Sequence, residues 1–403
     1  VGAGSAGCVL ANRLSELRDI SVLLLEAGGV DKNFFIHMPA GYSQLVPKAS
    51  KVNYGFETEP EESMGGRRMY WPRGRGWGGS SSINAMVYIR GHAADYDRWQ
   101  QMGNPGWSYE NVLPYFKKAE SFAGDGDPEF HGSDGPLSVK KSERKDDVLM
   151  DAFVAAGQQA GFPVTDDFNG RQQEGFSRYE HTIKGNKRCS AAQAYLHPVL
   201  ERPNLTTLTD VVSDRVLFNG DRAAGVSVLL NNTRQEFRAR REVILSAGAI
   251  NSPQILLRSG IGPAADLHQK GIEVIQHLQG VGENLQDHVG VVSQFACTKP
   301  VTLHRSAGPI GRIIAGIKYL TFGSGDASFP PTAAGAFFRS SPEKDLPDMQ
   351  IHFASVAIKD VHGREGIQPE HGFSSIVYCC RPESRGTIKL ADSDPGSAPL
   401  IQP

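Results

Sequence analysis

VGAGSAGC (residues 1–8) opens the chain and sets its glycines as Gly2-x-Gly4-x-x-Gly7. The stretch runs directly into Cys8-Val-Leu-Ala-Asn-Arg-Leu14, whose apolar residues recur at helical intervals, so it reads as a turn feeding a helix. In a dinucleotide-binding unit the first glycine permits the tight turn and the second lets a pyrophosphate approach the backbone. The third lets the helix pack on the sheet, and the free N–H groups of the helix start face the anion. In a chain with 45 glycines this spacing also arises by chance, so the next segment decides its meaning.

That segment is Ile20-Ser-Val-Leu-Leu-Leu25, an apolar run of strand length, followed by Glu26-Ala-Gly-Gly29. A carboxylate at the end of the second strand, about 20 residues after the glycines, is where a ribose hydroxyl is accepted. An acid there argues for an unphosphorylated ribose, hence FAD or NAD rather than NADP. The alternative for Glu26 is a solvated residue at a strand end. Such a unit begins with a buried strand of about five residues, and only Val1 precedes the first glycine. With no initiator Met, the chain is expected to be a fragment lacking its N-terminus, and Leu400-Ile-Gln-Pro403 to be an artificial end as well.

Taken as a whole, 403 residues suffice for two domains or one large one with insertions. Hydrophobic residues at 39% and charged residues at 21% fit a soluble globular protein, and no apolar run approaches the roughly 20 residues of a membrane span. Peripheral attachment to a membrane stays open. Lys and Arg number 42 against 44 Asp and Glu, and no basic face with interleaved aromatics points to nucleic acid. The five cysteines, Cys8, Cys189, Cys297, Cys379 and Cys380, lack CxxC spacing, which fits a reducing, cytoplasmic compartment and no structural zinc. No His-Glu-x-x-His or carboxylate cluster offers a metal site, and no Gly-x-Ser-x-Gly elbow offers a serine nucleophile.

Along the chain, residues 33–62 read as loops and short strands, a helix is expected to begin near Ser108, and Asp146–Ala160 has helical spacing with Gly161 as its stop. Strands are expected at Leu205–Thr209, Arg215–Phe218, Ala224–Leu230 and Glu242–Ser246, with Asn219-Gly220-Asp221 as a hairpin turn. A helix is expected to start at Ser252-Pro253 and to end at Ser259-Gly-Ile-Gly262. This strand, turn and helix look like a return to the cofactor-binding unit, so the domains are discontinuous. From Val289 onward strands such as Asp348–Phe353 and Phe373–Tyr378 suggest a separate antiparallel sheet. The expected class is α+β: a Rossmann-like domain from residues 1–98 and 186–288, and a sheet-based substrate domain from 99–185 and 289–403.

A second glycine-rich stretch, Trp71-Pro-Arg-Gly-Arg-Gly-Trp-Gly-Gly-Ser-Ser-Ser-Ile-Asn84, precedes the apolar Met86-Val-Tyr-Ile89. The small residues Gly78 to Ser82 let backbone come close to a flat ligand, and Asn84 brings a side-chain donor and acceptor. The alternative, a flexible linker, rarely lies between an aromatic-basic segment and an apolar strand.

The opening loop, this stretch, Gly248-Ala-Ile-Asn-Ser-Pro253 with its continuation to Gly262, and Gly280-Val-Gly-Glu-Asn-Leu-Gln-Asp-His288 together resemble the glucose-methanol-choline (GMC) oxidoreductases, flavoproteins that oxidise alcohols. Val87-Tyr-Ile-Arg-Gly-His92 and Arg381-Pro-Glu-Ser-Arg-Gly386 resemble the branch that oxidises choline and medium-chain alcohols with acceptors other than oxygen. The resemblance implies FAD, with its pyrophosphate at Gly2, Gly4, Ser5, Ala6 and Gly7 and its ribose at Glu26 and Ala27. It further implies a flavin end held near Gly76, Gly78 and Gly79 and by Asn84, Ala85, Met86 and Val87. Ser213 falls where the family usually has a valine whose backbone meets the adenine. Ile83 stands where some relatives bond a histidine to the flavin, so FAD is expected to be noncovalent.

The reaction implied is oxidation of a primary alcohol, with hydride passing to flavin N5 and electrons to a quinone-type acceptor. The family's base is a histidine partnered by histidine or asparagine in the C-terminal part, so no catalytic residue is expected before Pro403 and the fragment alone is expected to be inactive. His288 reads as cofactor-proximal or structural, His92 as a packing or capping residue, and His352 as facing either a pocket or solvent. A flavin-containing hydroxynitrile lyase and a non-catalytic flavoprotein are the alternatives.

Overall fold

The computed structural model describes residues 1–141 and 147–403. The glycine turn does start a helix, Ser5–Leu14, whose buried face is Gly7, Cys8, Ala11 and Asn12. That face meets the parallel pair Val22–Leu25 and Leu205–Leu208 in one apolar cluster with Trp77 and Tyr195. The pair is extended on its other edge by Val1 and Gly2: the Gly2 N–H donates to Leu25 O (2.7 Å) and the Ser246 N–H donates to Val1 O (2.8 Å). Residues 242–246, expected as a strand, lie beside Val1, which donates to Ile244 O (2.7 Å) and accepts from the Ser246 N–H.

The adjoining helix is Gly248–Arg258, longer than expected at its start. Ser252 turns its hydroxyl back to accept from the Ala247 N–H (3.1 Å), so it secures the first turn instead of opening the helix itself. Strands Val211–Asn219 and Arg222–Leu230 pair through the two-residue loop Gly220-Asp221, as the Asn-Gly-Asp signal requires. A third strand, Thr233–Arg238, joins them. Its polar, exposed residues hide it from periodicity, but Asn231 and Asn232 at φ of 50° and 59° form the left-handed two-residue turn that announces it.

Among the described residues the largest sheet is antiparallel and has five strands, in the order Gly290–Ala296, Gly372–Cys379, Met349–Ala354, Thr332–Phe338, Gly175–Arg178. Its core is Met150, Ala333, Ala334 and Phe353, packed under helix Val148–Gln159. Of the helical spacing over Asp146–Ala160, Asp146 itself lies outside the described residues; Gly161, at φ of 87°, follows the helix end. Ser108 caps helix Tyr109–Ala119 by accepting from the Asn111 N–H. Residues 33–62 contain the short helices Phe34–His37 and Tyr42–Leu45 beside short strands. The expectation of strands after Val289 misses one long element, helix Pro309–Phe322, whose β-branched isoleucines suit a strand by residue type and a helix only by their spacing.

Candidate functional site

Three glycines in the opening turn have three different physical reasons. A Cβ on Gly7 would lie 1.8 Å from Gly2 O, and one on Gly2, which has φ of 92°, would lie 2.6 Å from Ser246 O; both are excluded by protein packing. A Cβ on Gly4 would meet nothing nearer than 3.9 Å, because it would project into open space. That space is a cavity of about 1020 Å³. Gly2, Gly4, Ser5 and Ala6 form one wall of it, where the first turn of helix Ser5–Leu14 carries no acidic residue and no side-chain cap. Its unpaired N–H groups and partial positive charge suit an anion.

Glu26 and Ala27 form the next wall. The Glu26 carboxylate is 6% exposed and accepts three backbone N–H groups: Ala3 on Oε2 (2.8 Å), and Gly28 (2.8 Å) and Gly76 (2.9 Å) on Oε1. Burial pushes its carboxyl above the usual range, while the three donors work in the opposite direction. A carboxylate offers about four acceptor positions, so one position on Oε2 remains to take a hydroxyl from the cavity. Glu26 thus ties the opening turn to the second glycine-rich stretch and still keeps an acceptor for a ligand.

Gly79 and Ser213 also reach this cavity; a Cβ on Gly79 would be 2.8 Å from Gly4 Cα, so the two glycine-rich stretches touch through bare backbone. Gly7, Gly76 and Gly78 lie behind the wall, Gly78 donating to Ala3 O (2.8 Å). Sequence reasoning missed Tyr54, Arg73, Arg75 and residues 246–252 as cavity walls. Ser-Ala-Gly-Ala between an apolar run and a helix was the signal for the last of these. Arg73 and Arg75 come from the Pro-Arg-Gly-Arg-Gly segment and add positive charge to the cavity. An anionic dinucleotide fits this set: a glycine cradle whose empty face no protein atom fills, a helix start, two guanidinium groups and a carboxylate with a spare acceptor.

Asn84, Ala85, Met86 and Val87 stand apart from that cavity, on the far side of the turn Gly79–Ser82. Asn84 Oδ1 accepts from the Met86 N–H (3.1 Å) and from Arg188 Nη1 (2.7 Å). Met86 is buried at φ of 63°, a left-handed conformation that a methionine adopts only when its surroundings impose it. Here the Thr182 N–H, donating to Met86 O (2.9 Å), and the short pairing of Val87–Tyr88 with Glu180–His181 do so. Arg188 is 2% exposed and donates to Ile36 O, Ser81 O and Asn84 O. Its guanidinium, drawn down to about 9 by burial, holds the loop from beneath. Ile83 packs away from the loop surface against Ile36 and Leu45.

A second cavity, of about 1170 Å³, opens beside these residues and is lined by Ile89, His92, Trp99, His288, Phe337 and Gln350 among others. His92 caps helix Ala93–Gln101: its Nδ1 accepts from the Ala94 N–H (3.2 Å), and its own N–H donates to Asp95 (3.0 Å). His288 is exposed at the cavity edge. His352 is half-buried: its Nε2 is 2.9 Å from Gln350 Nε2, and its ring stands edge-on between Tyr179 and Tyr378. Burial draws it down to about 4, so it is neutral at pH 7. Among the described residues no cluster of three metal-ligating side chains occurs.

The GMC oxidoreductase family model matches residues 1–290, which takes in the first cavity's glycine-rich walls, Glu26 and Ser213. The whole chain is 47% identical over 411 residues to the mitochondrial choline dehydrogenase of Mus musculus and spans 68% of it. It is also 47% identical over 407 residues to the oxygen-dependent choline dehydrogenase of Ectopseudomonas mendocina, spanning 71%. In structure, all of the chain superimposes on 74% of pyridoxine 4-oxidase from Mesorbium loti, with a TM-score of 0.87 and 29% identity. Some 99% of it superimposes on 75% of a formate oxidase, with a TM-score of 0.90 and 26% identity. A dinucleotide cradle of this build, with likeness of this extent in sequence and in fold, has one source: the chain belongs to the GMC oxidoreductase family, FAD-dependent enzymes that act on CH–OH donors.

Proposed function

We propose that the full-length protein oxidises a primary alcohol to the aldehyde, with choline as the first substrate to test and a quinone-type acceptor taking the electrons. The observation that carries the choline reading is the 47% identity to choline dehydrogenases over the whole chain. The second cavity supports it with Tyr96, Trp99 and Trp107 in its lining, because the faces of aromatic rings attract a quaternary ammonium group. An aliphatic alcohol is the competing substrate, since Ile89, Phe337 and Met102 line the same space.

In this reading residues 1–98 and 186–288 bind FAD, and 99–185 and 289–403 form the substrate side; the strand Gly175–Arg178, paired with Thr332–Phe338, supports that division. Gly2, Gly4, Ser5, Ala6 and Gly7 hold the pyrophosphate, Glu26 and Ala27 the ribose, and Ser213 the adenine by its backbone. Gly76, Gly78, Gly79, Asn84, Ala85, Met86 and Val87 border the flavin. The chemistry a bound flavin supplies is acceptance of the substrate's α-hydride at N5. The protein's part is to orient the alcohol, exclude water and hold its proton acceptor in place. None of His92, His288 and His352 is assigned as that acceptor, because the first caps a helix, the second is exposed, and the third, drawn down to about 4 with its Nε2 taken up by Gln350, is a weak base.

FAD is held without a covalent bond, because Ile83 has no nucleophile and its side chain is committed to the Ile36–Leu45 cluster. The protein works on the cytoplasmic side, peripherally attached to the membrane that holds a lipid-soluble quinone. The test is anaerobic: choline added to the FAD-loaded full-length enzyme is expected to bleach the visible flavin band and yield betaine aldehyde. A band bleached by aliphatic alcohols and not by choline would replace the substrate, and a band that no alcohol bleaches would overturn the reaction. Acid precipitation is expected to leave the yellow pigment in the supernatant.

A further inference from the structure

Helix Pro309–Phe322 turns the wrong face outward for a protein dissolved in water. Ile310, Ile313, Ile314, Ile317 and Leu320 are 75%, 64%, 50%, 55% and 68% exposed. At about 100° per residue these five positions fall within roughly one third of the helix circumference. Tyr319, on the opposite side, is the buried residue of the helix and meets Phe34 edge-on at 6.1 Å. A contiguous patch of this kind on a soluble protein marks a contact surface.

The charges along its own stretch of chain have one sign. From Thr298 to Gly325 the chain carries Lys299, Arg305, Arg312 and Lys318 and no acidic residue. At the helix C-terminus, Gly323 lies against Asn186, which brings the exposed Lys184 and Lys187 of the hairpin 183–188 alongside. The nearest acid in sequence, Asp326, accepts from the Ser306 hydroxyl. Helix Pro309–Phe322 has 14 residues, about 21 Å at 1.5 Å per residue against the roughly 30 Å of a bilayer core. Among the described residues no helix is long and apolar enough to cross a membrane. An apolar stripe with Lys318 at its border and further cations at the helix ends suits a helix lying in the plane of an anionic bilayer, isoleucines in the acyl boundary and lysines and arginines among the headgroups.

We propose that helix Pro309–Phe322 is the surface by which this protein docks on an anionic lipid bilayer. The inference rests on the peripheral attachment proposed above and identifies its surface. A second copy of the chain would also cover the isoleucines, but the surrounding lysines and arginines of two copies would repel each other, whereas anionic headgroups neutralise them.

The test is co-sedimentation of the FAD-loaded enzyme with phosphatidylcholine vesicles made with and without phosphatidylglycerol. Binding is expected to the anionic vesicles and to weaken with added salt. The double substitution Ile313→Glu with Ile317→Glu is expected to reduce it at least about tenfold, and Lys318→Glu about fivefold or more, with flavin content unchanged in both. No sedimentation of the parent protein with either vesicle would overturn peripheral attachment itself. Sedimentation that the double substitution leaves unchanged would keep the attachment and overturn its assignment to this helix. Light scattering that shows a dimer broken by the double substitution, without vesicle binding, would assign the surface to a second copy.

Discussion

Among single residues, two glycines of one turn separate ligand binding from folding. Gly4→Ala adds a Cβ with no protein atom nearer than 3.9 Å, so the variant is expected to fold with unchanged thermal stability and to lose at least about tenfold in FAD affinity by titration. Gly7→Ala sets a Cβ 1.8 Å from Gly2 O, and its expected signature is lower stability, by roughly 1–3 kcal/mol or more in a denaturant melt. Equal loss of stability in both would mean that the space over Gly4 is not reserved for a ligand. His131 supplies a pH dependence of the fold. It is buried with Nδ1 3.0 Å from Glu120 and Nε2 2.7 Å from Asp167. Burial disfavours its charged form, but the two carboxylates outweigh it and lift its pKa from 6.5 to about 9. A pKa raised on folding stabilises fully below the unfolded value and loses that contribution as pH rises through the folded one. The melting temperature is therefore expected to fall between about pH 6.5 and pH 9. Asp167→Asn should flatten that decline; an unchanged slope would place its origin elsewhere.

Between elements, the turn Gly79–Ser82 and the hairpin 183–188 meet through one side chain. Arg188 satisfies the carbonyls of Ile36, Ser81 and Asn84 from within the core. Lysine carries the charge but not the planar fork, so Arg188→Lys leaves buried carbonyls without donors. A loss of roughly 1–3 kcal/mol and weaker FAD binding are expected, and retention of both would mean that the loop is held by other contacts. The turn at Asn231-Asn232 makes a separate point about strand formation. Both residues are left-handed, and Asn232→Val is expected to cost roughly 1–2 kcal/mol while Asn232→Gly is neutral or stabilising. Strand Thr233–Arg238 is visible in the sequence only through that turn, since its side chains lie mostly in solvent and leave no alternation to read.

Over the molecule as a whole, the first cavity is assembled from segments far apart in the chain: residues 1–6, 26–27, 54–80, 211–213, 246–258 and 395–400. Binding that closes such a site stabilises every segment at once. Free FAD at a hundredfold over its Kd is expected to raise unfolding stability by about 2.7 kcal/mol, read as a concentration-dependent shift of the melt. A melt indifferent to FAD would mean that the cavity does not bind it in this chain. The opening turn, the helix behind it and the carboxylate at Glu26 were legible in the amino-acid order, because these depend on backbone conformation and residue spacing within about thirty positions, and the family was legible through the resemblance of motifs spread from residue 1 to residue 386. That Glu26 commits three of its acceptor positions to backbone N–H groups became visible only in three dimensions. The same holds for the place of His352 between two tyrosines and for the outward isoleucines of helix Pro309–Phe322. Each depends on which distant segment supplies the partner, or fails to supply one, and local periodicity carries no record of a partner hundreds of residues away.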